Sequence, residues 1–231
     1  MKIGVFAYNF NHWKTQAGIQ NLILGGKKPE VVFCAPRVDL KFYRSKIRVS
    51  PKDLFLFHPH QICDYHDIDY HVAPHNSDHV ANLISKYDLD LGIILGARIL
   101  DPLVINRFNK GVLNMHPGIL PENRGLDTIK WAIINNISQG VTTHLIDGKI
   151  DRGLLVEKRK IEIYSDDTLL DLQIRLQNLE QEMMLSSIKI LQSQDVEGLK
   201  KIEKGIYNSS MPPDIESQLM KKFLEYKECH K

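Results

Sequence analysis

Cysteine is scarce in this sequence. Cys34, Cys63 and Cys229 are odd in number, far apart, and form no C-x-x-C pair. A disulfide scaffold and a cysteine-based zinc site are therefore excluded, and the pattern fits the reducing cytoplasm. Long apolar runs are absent as well. None approaches the roughly 20 residues of a membrane span, so no membrane partner is expected. The first ten residues hold a short apolar stretch with no small-residue cleavage site, so no signal peptide is expected. Neither sign of charge dominates: 30 Lys and Arg stand against 28 Asp and Glu, a net charge of +2. A nucleic-acid partner would favour a larger basic excess, and none is expected. No G-x-G-x-x-G run follows the first apolar segment, which removes the dinucleotide-binding fingerprint. Repeats and low-complexity tracts are missing too.

What remains is an ordinary globular composition, 43% hydrophobic and 25% charged over 231 residues. That length holds one full domain plus an appendage. Residues 2–8 (KIGVFAY) and 30–35 (EVVFCA) are short β-rich runs. Residues 15–25 have helical spacing and end at Gly25-Gly26, a C-cap signal. Residues 70–73 form a strand, and Ser77 is a good N-cap for a helix running to Lys86. Residues 89–95 (LDLGIIL) are continuously apolar, as a parallel strand buried on both faces must be. Asp101 caps a short helix with Pro102 at its first position. Residues 111–115 are another strand. Residues 154–163 alternate in polarity, as at a sheet edge. Asp166 or Asp167 caps a long helix in which Leu169, Leu172, Leu176, Leu179 and Met183 form a core stripe at 3,4 spacing. Strands alternating with helices predict an α/β fold, a Rossmann-like, mostly parallel sheet flanked by helices. The catalytic domain is expected over residues 1–195. A hinge and a last helix at about 215–226 make a C-terminal appendage over 196–231. In that helix Leu219, Phe223 and Tyr226 either pack on their own domain or form a homodimer contact.

Two clusters invite a functional reading. His58, His60, His66, His71, His75 and His79 crowd one segment, yet their spacings do not repeat and no H-x-x-x-H pair adjoins a Glu. They read as surface or loop histidines, and no metal is expected. Residues 37–52 hold six basic side chains against Asp39. This is a solvated loop or an electrostatic collar for an anionic ligand.

The strongest chemical signal is Asn114-Met115-His116-Pro117-Gly118-Ile119-Leu120-Pro121, directly after a buried strand. Ligands in open α/β sheets bind at the carboxyl ends of strands. Two residues apart on extended chain, Asn114 and His116 point the same way. The run GVTTHLIDGKIDRG over residues 140–153 then brings Asp151 within reach of His116. Together the three offer an oxyanion donor, a proton-sharing ring and a carboxylate that orients it. A buried His satisfied by an Asp is also a common structural pair.

This ordered set resembles the folate-dependent formyltransferase family. The resemblance rests on Asn114-x-His116-Pro117 through Leu120-Pro121, Arg124-Gly125, Gly140-Val141-Thr142-Thr143-His144 and Ile150-Asp151-Arg152-Gly153. It extends upstream to Leu95-Gly96-Ala97-Arg98-Ile99-Leu100 and downstream to Asp167-Thr168-Leu169-Leu170. It implies N10-formyltetrahydrofolate as co-substrate and an amine as acceptor, with Asn114, His116 and Asp151 catalytic. It places the pterin between Arg98, Ile99 and Leu100 on one side and Asp147, Gly148 and Ile150 on the other. His144 matches a second family histidine that supports the Asp151 loop.

Departures from the family narrow the acceptor. Glycinamide ribonucleotide formyltransferases carry a Gly-rich phosphate loop where this chain has Tyr8-Asn9-Phe10-Asn11-His12-Trp13-Lys14-Thr15. Methionyl-tRNA formyltransferases append a C-terminal barrel, and only about 35–40 residues follow the long helix here. The formyltetrahydrofolate hydrolases carry an extra N-terminal regulatory domain, and the sequence here opens on its first strand, so that branch is not the one expected. The pattern looks most like the compact sugar N-formyltransferases, whose acceptor is a nucleotide-linked amino sugar of surface polysaccharides. Formylation domains acting on carrier-bound amino acids share the same runs. From position, Asn9, Lys14, Asn76 and Ser77 are candidates for the nucleotide, and Arg124 and Trp131 for the sugar. A folate-binding module without catalysis is the rival outside enzymes.

Overall fold

The computed structural model describes residues 1–38, 45–52 and 54–230. Residues 39–44 of the basic segment, with Asp39, Lys41 and Arg44, lie outside them. The chain alternates strands and helices through its first half. The strands are β1 (Ile3–Tyr8), β2 (Val31–Ala35), β3 (Asp69–Val72), β4 (Leu91–Ile94), β5 (Gly111–His116), β6 (Arg124–Gly125), β7 (Gly140–Ile146), β8 (Gly153–Lys160) and β9 (Tyr207–Asn208). The helices are α1 (Trp13–Leu24), α2 (Pro59–Tyr65), α3 (Asp78–Tyr87), α4 (Pro102–Ile105), α5 (Thr128–Ile134), α6 (Leu169–Ser193), α7 (Pro213–Glu216) and α8 (Leu219–Cys229).

Seven strands make one sheet in the order β3-β2-β1-β4-β5-β7-β8. The β1 to β5 neighbours pair in parallel, and β7 and β8 add on antiparallel. This is the expected α/β architecture. Continuous apolar burial on β1, β2 and β4 follows from helices covering both faces. On one face Leu22 and Ile19 of α1 pack with Met184, Ile188 and Leu191 of α6 over Val5, Val32 and Ile93. On the other, Val80 and Ile84 of α3 pack with Val104 over Phe6 and Phe33. Among the described residues no helix is long and apolar enough to cross a membrane.

Ser77 caps α3 as expected, its hydroxyl accepting from the Val80 N–H at 3.3 Å. Several local expectations shift. The cap of α6 is Thr168, which forms a capping box with Asp171. Neither Asp166 nor Asp167 caps it. Asp167 instead takes the Arg175 guanidinium at 2.8 and 2.9 Å. Asp101 occupies the N-cap of α4, but its side chain makes no capping bond. Helix α2 was not expected, because its cap is a histidine: His58 accepts from the His60 N–H. The histidine cluster is not all surface. His75 is 6% exposed, and its Nε2 donates between the Ala7 and Phe33 carbonyls at 3.0 and 3.1 Å. Burial holds its pKa below the ordinary imidazole value, although the two carbonyls oppose the shift. The last helix divides into α7 and α8. Leu219, Phe223 and Tyr226 are buried on their own chain with Ile129, Ile133 and Leu172, so that face makes no homodimer contact.

The tail is stitched to the body by a buried ion pair. Glu216 lies 2.8 Å from Lys130, and both side chains are under 5% exposed. Burial opposes ionisation, but Lys130, Ser45 and the Lys46 N–H outweigh it and lower the Glu216 pKa to about 2. A depressed carboxyl stabilises the fold above its unfolded pKa, about 4.5, and loses that contribution as pH falls towards 2. Glu216→Gln is expected to destabilise by on the order of 3 kcal/mol at neutral pH, because it leaves Lys130 buried without its main anion. Melting curves of both proteins from about pH 7 to pH 3 check this. The gap between them should narrow as pH falls.

Candidate active site

The chain runs from β1 to β2 and β3 on one side, then returns to β4 and β5 on the other. The strand order thus reverses between β1 and β4, where open α/β sheets bind their ligands. A cleft of about 470 Å³ opens there. Tyr8, Ile94 and Asn114, from the ends of β1, β4 and β5, form its floor. Residues 97–100 form one wall, and Ile146 with residues 148–151 the other. Gly125, Leu126 and Tyr207 close the remaining side.

Asn114 and His144 face each other across the antiparallel β5–β7 pair. The Asn114 amide nitrogen lies 3.2 Å from His144 Nε2, and His144 Nδ1 lies 3.0 Å from the Arg152 carbonyl. Burial lowers the His144 pKa, and the neighbouring His116 lowers it further. A neutral ring with hydrogen on Nδ1 satisfies both contacts. It donates to Arg152 and accepts one Asn114 amide hydrogen, so the second hydrogen of that amide stays free.

Two residues on, His116 Nδ1 lies 3.2 Å from Asp151 Oδ1, and Nε2 lies 2.7 Å from the Asn123 carbonyl. Both neighbours are acceptors, so a ring with hydrogen on both nitrogens fits best. Asp151 Oδ2 accepts the Gly125 N–H at 2.6 Å. Burial alone would raise the Asp151 pKa, but the bonds from His116 and Gly125 outweigh it and hold the carboxyl below its usual range. Asp151 sits at φ 47°, a left-handed conformation that costs a non-glycine residue about 1 kcal/mol.

The structure brings Asn114, His116 and Asp151 together as the sequence suggested, with unequal access. Asn114 and Asp151 line the cleft. His116 is 4% exposed and stands behind Asp151. Arg98, Ile99, Leu100, Gly148 and Ile150 all line it too. His144 and Asp147 do not: His144 is buried behind Asn114, and the Asp147 carboxylate accepts the Lys149 N–H at 3.0 Å.

The candidate acceptor residues are engaged within the chain. Asn9 accepts from the Tyr70 hydroxyl. Lys14 pairs with Glu180 at 2.6 Å and donates to the Met115 carbonyl at 3.0 Å. Ser77 caps α3, and the Trp131 indole donates to the Ser209 carbonyl at 2.8 Å. Asn76 and Arg124 reach the cleft's own backbone. Asn76 donates to the Ile99 carbonyl at 2.9 Å, and Arg124 donates to that of Ile150. Tyr207 was missed by the sequence analysis. It reaches the cleft through β9, a two-residue strand with no periodicity to announce it.

The sequence profile of the formyl transferase family matches residues 1–188. The chain belongs to this family. A methionyl-tRNA formyltransferase from Chlorobium chlorochromatii is 29% identical over 115 residues, which are 49% of this chain and 37% of that one. A phosphoribosylglycinamide formyltransferase from Haemophilus influenzae is 29% identical over 114 residues, 48% of this chain and 54% of its own. The matched stretch thus spans from about a third to just over half of these curated formyltransferases. Among solved structures, a 4-N formyltransferase from Francisella tularensis superposes with a TM-score of 0.61 at 21% identity, covering 90% of this chain and 76% of that one. A formyltransferase from Anoxybacillus kamchatkensis, in complex with tetrahydrofolate and UDP-4,6-dideoxy-4-formamido-L-AltNAc, superposes at 0.52 with 22% identity, covering 70% and 85%. At these identities the structural likeness is one of fold. Within the formyl transferase fold, the Asn114–Asp151 cleft lies at the reversal of strand order.

Proposed function

We propose that this chain transfers a formyl group from N10-formyltetrahydrofolate to the amine of a nucleotide-linked amino sugar. The observation that carries the reading is the meeting of Asn114 and Asp151 in one cleft, with His116 held against Asp151. The cleft suits the co-substrate. Ile94, Ile99, Leu100 and Ile146 give apolar walls for a flat ring, and exposed Arg98 and Lys149 stand at the rim, where they suit its anionic tail.

Bound N10-formyltetrahydrofolate supplies the formyl group. The chain's residues do the rest. The free amide hydrogen of Asn114 meets the oxygen that gains negative charge when the amine attacks. Asp151, ionised and at the cleft wall, takes the proton that the amine must lose. His116 keeps that carboxylate ionised and in place by donating its Nδ1–H to it from behind. His144 holds the Asn114 amide in its donating orientation.

The sugar branch is favoured by the absence of a Gly-rich phosphate loop after β1, where the single lysine, Lys14, is committed to Glu180. On this reading the chain works in the cytoplasm. The curated relatives favour a second reading, in which the amine belongs to methionyl-tRNA or glycinamide ribonucleotide.

A thermal-shift panel separates these readings. It uses 5-formyltetrahydrofolate with UDP, dTDP, GDP or CMP, singly and paired. A ligand at about 100 times its Kd stabilises the native state by ~2.7 kcal/mol, a shift of a few degrees. Stabilisation by folate and by one nucleotide is the expected result. Folate alone would move the acceptor away from nucleotide sugars, and no folate shift would remove the formyltransferase reading.

A further inference from the structure

Arg124 is 8% exposed and, among the described residues, faces no carboxylate within ion-pair distance. A buried cation without an anion is costly unless its N–H groups are satisfied. Here two of them are. The guanidinium donates to the Gly205 carbonyl at 3.0 Å and to the Ile150 carbonyl, while its Nε has no partner. Ile150 directly precedes Asp151. The next residue, Gly125, donates its N–H to Asp151 Oδ2 at 2.6 Å. Neighbouring residues 124 and 125 therefore grip neighbouring residues 150 and 151 at two points.

A strap of C-terminal chain backs that grip. In the small β6–β9 ladder Arg124 pairs with Tyr207 and Gly125 with Asn208. The Leu126 N–H donates to the Asn208 carbonyl at 2.9 Å. Gly125 has φ 97°, and a Cβ there would lie 2.0 Å from the Asn208 carbonyl oxygen, so only glycine permits this approach. Gly205 lies equally close to the body: a Cβ there would sit 1.8 Å from the Pro121 carbonyl oxygen. The Asp127 carboxylate holds the Met211 N–H at 2.8 Å at the far end of the strap.

We infer that Arg124 is a positioning residue for Asp151: its two-pronged guanidinium ties the Ile150 carbonyl to the strap and holds the strained carboxylate loop in its working conformation. Acceptor anchoring by Arg124, the role its sequence position suggested, is the competing assignment. The inference rests on the formyltransferase reading for its catalytic meaning, and its test does not.

The test follows the Asp151 carboxyl carbon by NMR through a pH titration of the full chain, with the signal assigned by its loss in Asp151→Asn. In the wild type it titrates below the ordinary carboxylate range. In Arg124→Lys, which keeps the charge but offers one ammonium in place of a planar fork, the midpoint is expected to rise towards the ordinary range. With an accepted amino nucleotide sugar, kcat should fall at least about tenfold while the acceptor KM stays unchanged. An Asp151 midpoint that stays at the wild-type position overturns the inference. So does a raised acceptor KM at normal kcat, which marks direct anchoring. If Arg124→Lys does not fold, Gly205→Ala applies the same test by pushing the strap carbonyl away from Arg124. The same rise supports the inference, and an unmoved midpoint overturns it. The titration needs no turnover. A wild-type chain that transfers no formyl group would sink the proposed function and leave this inference standing, and an unmoved Asp151 would do the reverse.

Discussion

Asp151→Asn is expected to lower turnover by at least about 100-fold while the protein still folds. The attacking amine must lose a proton as it becomes an amide. Asp151 is the carboxylate on the cleft wall beside Asn114, and an amide of the same shape cannot take that proton. The fold survives because the amide oxygen still accepts the Gly125 N–H that Asp151 now takes at 2.6 Å. His116 loses its anion in the variant, so the substitution removes both the base and the support behind it. Steady-state kinetics beside a thermal melt check this. A kcat within a few-fold of wild type would show that the proton leaves by another route.

Asn114→Ala is expected to cost about 100- to 1,000-fold in kcat, the size seen when one oxyanion donor is removed. The argument rests on orientation. Neutral His144 accepts one amide hydrogen at 3.2 Å and so fixes which side of Asn114 carries the donor. Asn114→Asp sharpens the test. It keeps the size, replaces the donor with an acceptor, and sets a second negative charge beside Asp151. It should be at least as inactive as the alanine variant. Equal activity of Asn114→Asp and wild type would show that no donor is needed at this position.

The main elements were legible because their signals are local. A buried parallel strand is a continuous apolar run, as at Leu91–Ile94, and the α6 stripe repeats at 3,4 spacing. The candidate catalytic group was legible for the same reason. Asn114 and His116 share a face by strand alternation, and Asp151 lies in the loop after β7. Other features have no local signal. His58 as a helix cap breaks the usual residue preference. His75 looks like its neighbours in sequence and differs only in being closed in by Ala7 and Phe33. The β6–β9 ladder joins residues more than 80 positions apart through two residues on each side, and nothing in either segment announces the other. Arg124 shows the limit most clearly. Its sequence position suggested a place at the sugar site. Its engagement with two backbone carbonyls was not.

The most direct measurement is the transfer itself. The full chain is incubated with N10-formyltetrahydrofolate and a panel of nucleotide-linked amino sugars, and the products are read by mass spectrometry. The account predicts a formamide on the nitrogen of one of these sugars and tetrahydrofolate released in equal amount, with both lost in Asp151→Asn. A chain that binds 5-formyltetrahydrofolate yet leaves every nucleotide-linked amine unformylated would contradict it.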